Sequence, residues 1–273
     1  ILPHNDDGYW CLVAEGIEEE QEKIGTEYNI NISTMIPQLN YNIPQMTEIL
    51  KQQITAQVDV IVIQGNEDPE FRTALQEAYD QGIKIICVDT DLKDFPNHLY
   101  IGTDNYAAGQ LIGEKLVEMT EGTAKVAVVS GESGYLNLEQ RLSGFMEVVK
   151  GYTGIEIVDL QYDNYDGLTF MNLYQKLQEK ADTLVCIEGT GAQTLSQLYT
   201  ERRSDYKYIM GFDIDTGVKN RVIDGIVQQD TDQMGRSVVE EIANYIQTGN
   251  YSSDIIYTDM QWVTSDNYDE VLP

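Results

Sequence analysis

The feature that most constrains this chain is the alternation of short, uninterrupted apolar runs with longer amphipathic stretches. The runs Val58 to Gln64, Lys84 to Asp89, Lys125 to Gly131, Thr183 to Glu188 and Tyr208 to Asp213 each end at a polar residue or a glycine. A strand covered by helices on both faces must be apolar on both, so such runs suit the interior of parallel sheets. Between them, apolar residues recur at helical spacing over Tyr9 to Ile24, Ile43 to Gln57, Pro69 to Gln81, Tyr106 to Met119, Leu138 to Lys150 and Leu168 to Glu179. Pro69 suits a first helical turn, where a missing N–H leaves no bond unmade, and Gly82 and Gly122 suit helix ends. This order predicts βαβ units and open α/β sheets.

A chain of 273 residues exceeds one ordinary layered core and fits two lobes. The element order places a division near Thr103–Asp104. The short run Ile226 to Gln229 then leads into a helix, Gln233 to Ile246, that must return to the first lobe. The expected lobes are therefore residues 1–103 plus 230–257 and residues 104–229 plus 258–273. No Pro- or Gly-rich linker separates them, so several short crossovers are expected to form the hinge. Ile1-Leu2-Pro3 reads as only the end of a first strand. There is no Met start, basic n-region or apolar h-region, so any signal or anchor is expected outside this segment. No stretch approaches the roughly 20 apolar residues that span a bilayer.

Charge narrows the partners. With 46 acidic against 17 basic residues the formal charge is −29, a field that repels nucleic acid phosphates and anionic membranes. Most of the surplus reads as a solvated surface, as in Glu18-Glu19-Glu20 with Glu22. Cys11, Cys87 and Cys186 are far apart and lie in apolar runs. An odd number without a CxxC pair fits neither a disulfide framework nor a zinc site, so they read as small buried hydrophobes.

Catalytic patterns fail one by one. Ser133 in Gly131-Glu132-Ser133-Gly134-Tyr135 lacks the last glycine of a nucleophile elbow. Thr194 stands where Gly189-Thr190-Gly191 would need its third glycine to bind a dinucleotide. The two histidines, His4 and His98, fall in loops without HxxH or HExxH spacing. Asn164-Tyr165-Asp166-Gly167 reads as a turn, because Tyr162 and Leu173 occupy the first and last carboxylate positions of a calcium loop.

In open α/β sheets, ligands collect at the carboxyl ends of strands. That rule selects Asp7, Tyr9 and Trp10, then Gln64, Asp89, Thr90 and Asp91, and Thr103-Asp104 in the first lobe. In the second it selects Glu132, Arg141, Thr190, Asp213 and Gln229. Carboxylate, guanidinium and amide groups beside aromatic rings satisfy hydroxyls while packing an apolar face, the combination a sugar presents. Asp and Thr at strand ends also cap helices, and Asp104 reads as such a cap.

These positions, in this order, resemble the type I periplasmic binding proteins, and within them the ribose-binding subgroup. The resemblance rests on Tyr9-Trp10 opening a helix, Asp89 at a strand end and Thr103-Asp104-Asn105 entering the second lobe. It continues with Arg141 in Gln140-Arg141-Leu142-Ser143-Gly144-Phe145, Gly211-Phe212-Asp213, and Gln229 followed by Asp232-Gln233-Met234-Gly235. It implies an α/β fold of two Rossmann-like, flavodoxin-like lobes with parallel sheets joined by a multi-strand hinge. It also implies a monomeric, non-enzymatic receptor that captures a small sugar or polyol in the interlobe cleft by hinge closure. By the same resemblance Tyr9 and Trp10 would face one side of the sugar ring, Asp89 would accept from hydroxyls, Arg141 would donate, and Asp213 and Gln229 would complete the polar shell. No cofactor or metal is expected.

The expected setting is extracytoplasmic: periplasmic, or anchored at the surface of a Gram-positive bacterium and serving an ABC permease. Two other roles fit the same fold, the sensing segment of a membrane receptor such as a histidine kinase and the effector domain of a LacI-type repressor. A glycosidase using Asp89 and Asp213 is opposed by the lack of an accompanying proton shuttle or metal site. Asp7, Thr90 and Gly189-Thr190-Gly191 depart from the subgroup, which commonly has Asn, Arg and an Asn-Asp pair there. Lost donors and an added negative charge argue against ribose and against an anionic ligand.

Overall fold

The computed structural model describes residues 1–4, 8–202, 204–213 and 216–271. In chain order its elements are α1 (Tyr9–Tyr28), α2 (Ile43–Thr55), β1 (Val60–Ile63), α3 (Pro69–Asp80), β2 (Lys84–Val88), β3 (Leu99–Gly102), α4 (Asn105–Thr120), β4 (Thr123–Ser130), α5 (Leu136–Val149) and β5 (Gly154–Tyr162). There follow α6 (Gly167–Leu177), β6 (Thr183–Cys186), α7 (Gly189–Leu198), β7 (Tyr208–Phe212), α8 (Thr216–Lys219), β8 (Gly225–Gln229), α9 (Thr231–Thr248), β9 (Ile255–Tyr257), β10 (Met260–Val263) and α10 (Tyr268–Val271). They gather into two units, Ile1–Thr103 with Asp230–Asp259 and Asp104–Gln229 with Met260–Pro273.

In the first unit a sheet of order β1-β2-β3-β9 is parallel throughout. Its strand β2 illustrates why the apolar runs had to be continuous. Ile85 and Cys87 pack with Met46, Leu50, Phe71 and Leu75 of α2 and α3. Ile86 and Val88 point the other way, into Val13 and Ile17 of α1 and Val238 of α9. Successive strand residues face opposite sides, so a helix layer on each side makes every position apolar. Residues 1–3 form no strand, although the Ile1 nitrogen donates to the Val62 carbonyl (2.6 Å).

The second unit repeats the principle on a sheet of order β10-β8-β7-β6-β4-β5. Ala127 and Val129 of β4 meet Phe170, Leu177 and Leu195 of α6 and α7, while Val126 and Val128 meet Ile112, Leu116 and Phe145 of α4 and α5. The edge strand β10 departs from the all-parallel expectation: it runs antiparallel to β8, opposing Met260 to Gln229. Strand β5 does not read as a continuous run because, at the other edge, its residues are half-buried or exposed throughout. There, polar Glu156 and Asp159 are tolerated beside Ile155 and Ile157.

Part of the acidic surplus is spent on helix starts. Asp68, Asp104, Asp166, Glu188 and Asp230 each accept backbone N–H bonds at the head of α3, α4, α6, α7 and α9. An acceptor with negative charge satisfies orphan donors and the positive end of the helix dipole together. Asp104 is thus the cap expected of it, and Asn164–Tyr165 is a turn leading into the Asp166 cap. Cys87 and Cys186 are buried, but Cys11 is only half-buried on α1, with its thiol donating to Glu15. Among the described residues no helix is long and apolar enough to cross a membrane.

Candidate functional site

In the first unit, parallel pairing of Ile63 with Cys87 delivers Gln64 and Asp89 side by side at the carboxyl ends of β1 and β2. Among the described residues the Asp89 carboxylate collects three donors. Tyr9 Oη donates to Oδ1 (2.7 Å), while Gln64 Nε2 (2.9 Å) and Thr90 Oγ1 (2.8 Å) donate to Oδ2. Gln64 Nε2 also lies 3.2 Å from Thr90 Oγ1, so one small network holds all four side chains. Asp89 is 4% exposed and Thr90 1%. Burial without donors would be costly for a carboxylate; three hydrogen bonds to the charged form offset it. The Asp89 backbone turns into the left-handed region (φ 65°), its N–H bonds to Ile101 O (3.1 Å), and the Tyr100 hydroxyl is 2.9 Å from the Asp89 carbonyl.

In the second unit the central group is Arg141 on α5, 2% exposed. Helices α4 and α5 approach closely because Gly109 lies against the Arg141 backbone and Gly144 against the Tyr106 backbone; a Cβ at either would collide with a carbonyl oxygen. The approach brings Asn105, on the first turn of α4, to Arg141: Nε donates to Asn105 Oδ1 (2.7 Å). Nη2 donates to Gln229 Oε1 (2.9 Å), Nη1 reaches Ile187 O (3.4 Å), and the guanidinium sits 4.4 Å over the Phe212 ring. Gln229 in turn donates to Asp213 Oδ1 (2.6 Å). A buried cation is thereby linked through one amide to a carboxylate, and stacking on an aromatic face adds cation–π attraction.

The expected site residues are thus sorted. Tyr9, Gln64, Asp89 and Thr90 come together in one unit, and Arg141, Asp213 and Gln229 in the other. Trp10 departs from the expectation: it is 2% exposed in the core of the first unit with Val13, Ile86 and Val238, and its Nε1 donates to Tyr41 Oη (3.0 Å). Neighbours on a helix point about 100° apart, so when Tyr9 reaches the strand ends Trp10 turns inward. Glu132 is exposed on the loop after β4. Thr190 is half-buried at the start of α7, its N–H donating to Glu188 Oε2 (2.7 Å). Asp7 lies outside the described residues.

Three buried polar residues escaped the sequence reading as site candidates: Asn105, Glu188 and Asp163. Asn105 carried a signal, since it follows Asp104 in the segment that opens the second lobe. Asp163, just beyond β5, is fully buried, and burial with the neighbouring Glu188 charge pushes its carboxyl up to about 9. Burial beside the capping Glu188 carboxylate thus favours its protonated form. Nothing in its local sequence distinguishes it from the exposed acids around it. A separate group of metal-ligating types, Cys87, Asp91 and His98, lies outside both networks.

Two α/β units with open sheets, between which the chain passes three times, carry polar networks at their strand ends and have the type I periplasmic binding fold. The chain belongs to the periplasmic binding protein domain family, whose sequence profile matches residues 1–250. It is 26% identical over 199 residues to the D-ribose/D-allose-binding protein of Pseudomonas aeruginosa, covering 68% of this chain and 61% of that protein. It is 22% identical to the D-apiose import binding protein of Actinobacillus succinogenes over 92% of this chain and 82% of the relative. Among solved structures it is similar to GanP, a glucose-galactose binding protein from Geobacillus stearothermophilus. That comparison has a TM-score of 0.85 and 26% identity, and covers 97% of this chain and 96% of the other.

Proposed function

We propose that this chain is an extracytoplasmic receptor that captures a small neutral sugar or polyol and presents it to a membrane permease, without chemical turnover. The carrying observation is the division of labour between two preassembled networks. Asp89 offers a buried, donor-supported carboxylate to hydroxyls, and Arg141 offers guanidinium N–H groups to oxygens. Tyr9 rather than Trp10 serves as the aromatic beside the ring. A ligand that binds one conformation of the receptor more tightly shifts the population toward it. Hydroxyls pair with both kinds of group, whereas an anion would meet Asp89 with like charge. The sugar specificities named for the relatives agree with this chemistry, and the Thr90 and Thr190 departures favour a ligand other than ribose.

A thermal-shift panel of neutral aldoses, ketoses and polyols, followed by calorimetry on any hit, tests the reading. Ligand at a hundredfold excess over Kd stabilises by about 2.7 kcal/mol. A clear rise with at least one neutral polyhydroxylated compound is expected. Stabilisation by amino acids or nucleobases alone would overturn the assignment.

A further inference from the structure

Strand β2 sends alternate residues to different sides, and the side that faces α2 and α3 carries its own chemistry. Cys87 Sγ, Asp91 and His98 present donor atoms that all lie within 4.8 Å of one another. Cys87 is fully buried, while the His98 and Asp91 side chains are 12% and 27% exposed, so the cluster has a sulfur floor and a rim open to water. His98 shows both ring nitrogens to oxygen acceptors: Nδ1 lies 3.0 Å from Phe95 O and Nε2 lies 2.6 Å from Asp91 Oδ1. A neutral imidazole has one N–H and cannot satisfy both. A cation shared by Nε2 and Asp91 would let both ring nitrogens keep a partner. A backbone carbonyl that holds Nδ1–H and turns Nε2 toward other ligands is the support metal-binding histidines normally have.

We propose that Cys87, Asp91 and His98 form a zinc site, with water in the fourth position. One thiolate, one imidazole and one carboxylate suit a tetrahedral borderline ion and disfavour calcium or magnesium, which take oxygen ligands. Bonds of about 2.0–2.3 Å would set the donors about 3.3–3.5 Å apart, so the ion spreads the Asp91–His98 pair and draws in the sulfur. Both of these ligands sit on the loop that follows β2, which can adjust without moving the strand. Burial, with the nearby Asp91 and Glu67 charges, pushes the Cys87 thiol well up, so the metal-free side chain stays protonated. On binding, the S–H bond breaks and its proton passes to water, while S–Zn, N–Zn and O–Zn bonds form with no change of oxidation state. The consequence is a clamp on the loop that begins with Asp89 and Thr90, two residues beyond Cys87. The spacing Cys-x3-Asp-x6-His matches no familiar zinc pattern, and the odd cysteine count points away from one.

The test uses the untagged, reduced, metal-stripped chain, titrated with Co²⁺ as a spectroscopic stand-in and then with Zn²⁺. Expected are one equivalent of bound cobalt, tetrahedral visible bands, a near-ultraviolet thiolate-to-cobalt band, and displacement by zinc. Cys87→Ser removes the thiolate band, Cys11→Ser and Cys186→Ser retain it, and His98→Gln lowers affinity at least tenfold. Lack of the thiolate band in the unaltered chain overturns the proposal whether or not the variants fold. Zinc binding of equal strength in all these variants also overturns it, since that would be attachment to surface carboxylates.

Discussion

Asp89 of the first unit and Asp213 of the second occupy the same kind of corner. Each follows a parallel strand, each has φ near 65°, and each backbone N–H bonds to the next strand, Asp89 to Ile101 O and Asp213 to Val227 O. A non-glycine residue in this conformation costs of order 1 kcal/mol, and such outliers persist where the surroundings hold them. The corners differ in what surrounds them. Among the described residues Asp89 is supported by the uncharged donors Tyr9, Gln64 and Thr90. Asp213 is one amide away from a buried guanidinium. The same backbone device therefore presents an acceptor in one unit and anchors a donor system in the other.

Removing the cation should have the largest effect. Arg141→Ala leaves Asn105 and Gln229 without their donor and vacates the face of Phe212, so both binding and folding suffer; truncating one member of a buried charged network costs roughly 3–5 kcal/mol. Calorimetry with the identified ligand should read at least a hundredfold loss, and the melting temperature should fall several degrees. Unchanged affinity would remove Arg141 from the site.

Asp89→Asn should separate the two properties more cleanly. The amide keeps shape and some hydrogen bonds but exchanges a charged acceptor for a neutral group, a change of roughly 1–3 kcal/mol. Affinity is expected to drop about ten- to a hundredfold with little change in melting temperature. A loss of stability as large as that of Arg141→Ala would show that the two corners play the same structural part.

An effect visible only as a pH dependence concerns Asp163, a carboxyl of the second unit that accepts the Tyr165 backbone N–H (3.0 Å) where Asp89 accepts from three side chains. Unfolded, it ionises near 3.8; folded, near 9. Between those values the folded chain keeps a proton that the unfolded chain has lost, so this group's contribution falls as pH rises from about 4 and levels off beyond about 9. Asp163→Asn removes that slope. In urea unfolding the variant should gain on the unaltered protein at pH 8 relative to pH 5, by up to about 4 kcal/mol at about 1.4 kcal/mol per pH unit. An equal difference at both pH values would mean that Asp163 is ionised in the fold.

Much of this was legible from one chain because the signals are local. Continuous apolar runs set strands that need helices on both faces, and strand-end positions alone picked out Gln64, Asp89, Thr90, Asp213 and Gln229. What failed was local too. Strand β5, half polar at a sheet edge, carries no clear pattern. Trp10 beside Tyr9 reads as a second ligand aromatic until helix rotation sends it into the core with Tyr41.

The sequence by itself determined the alternating α/β architecture and the chemistry available at the strand ends, since periodicities of two and 3.6 are written residue by residue. Only tertiary structure decided which side chains meet. Arg141 finds Asn105 because two glycines let α4 and α5 close, and it finds Gln229 from a strand 88 positions away. Cys87, Asp91 and His98 converge because a strand and the loop after it fold back on one another, with no spacing rule to announce it. Hydrogen bonds and metal bonds act over a few ångströms in space, and distance along the chain does not enter them.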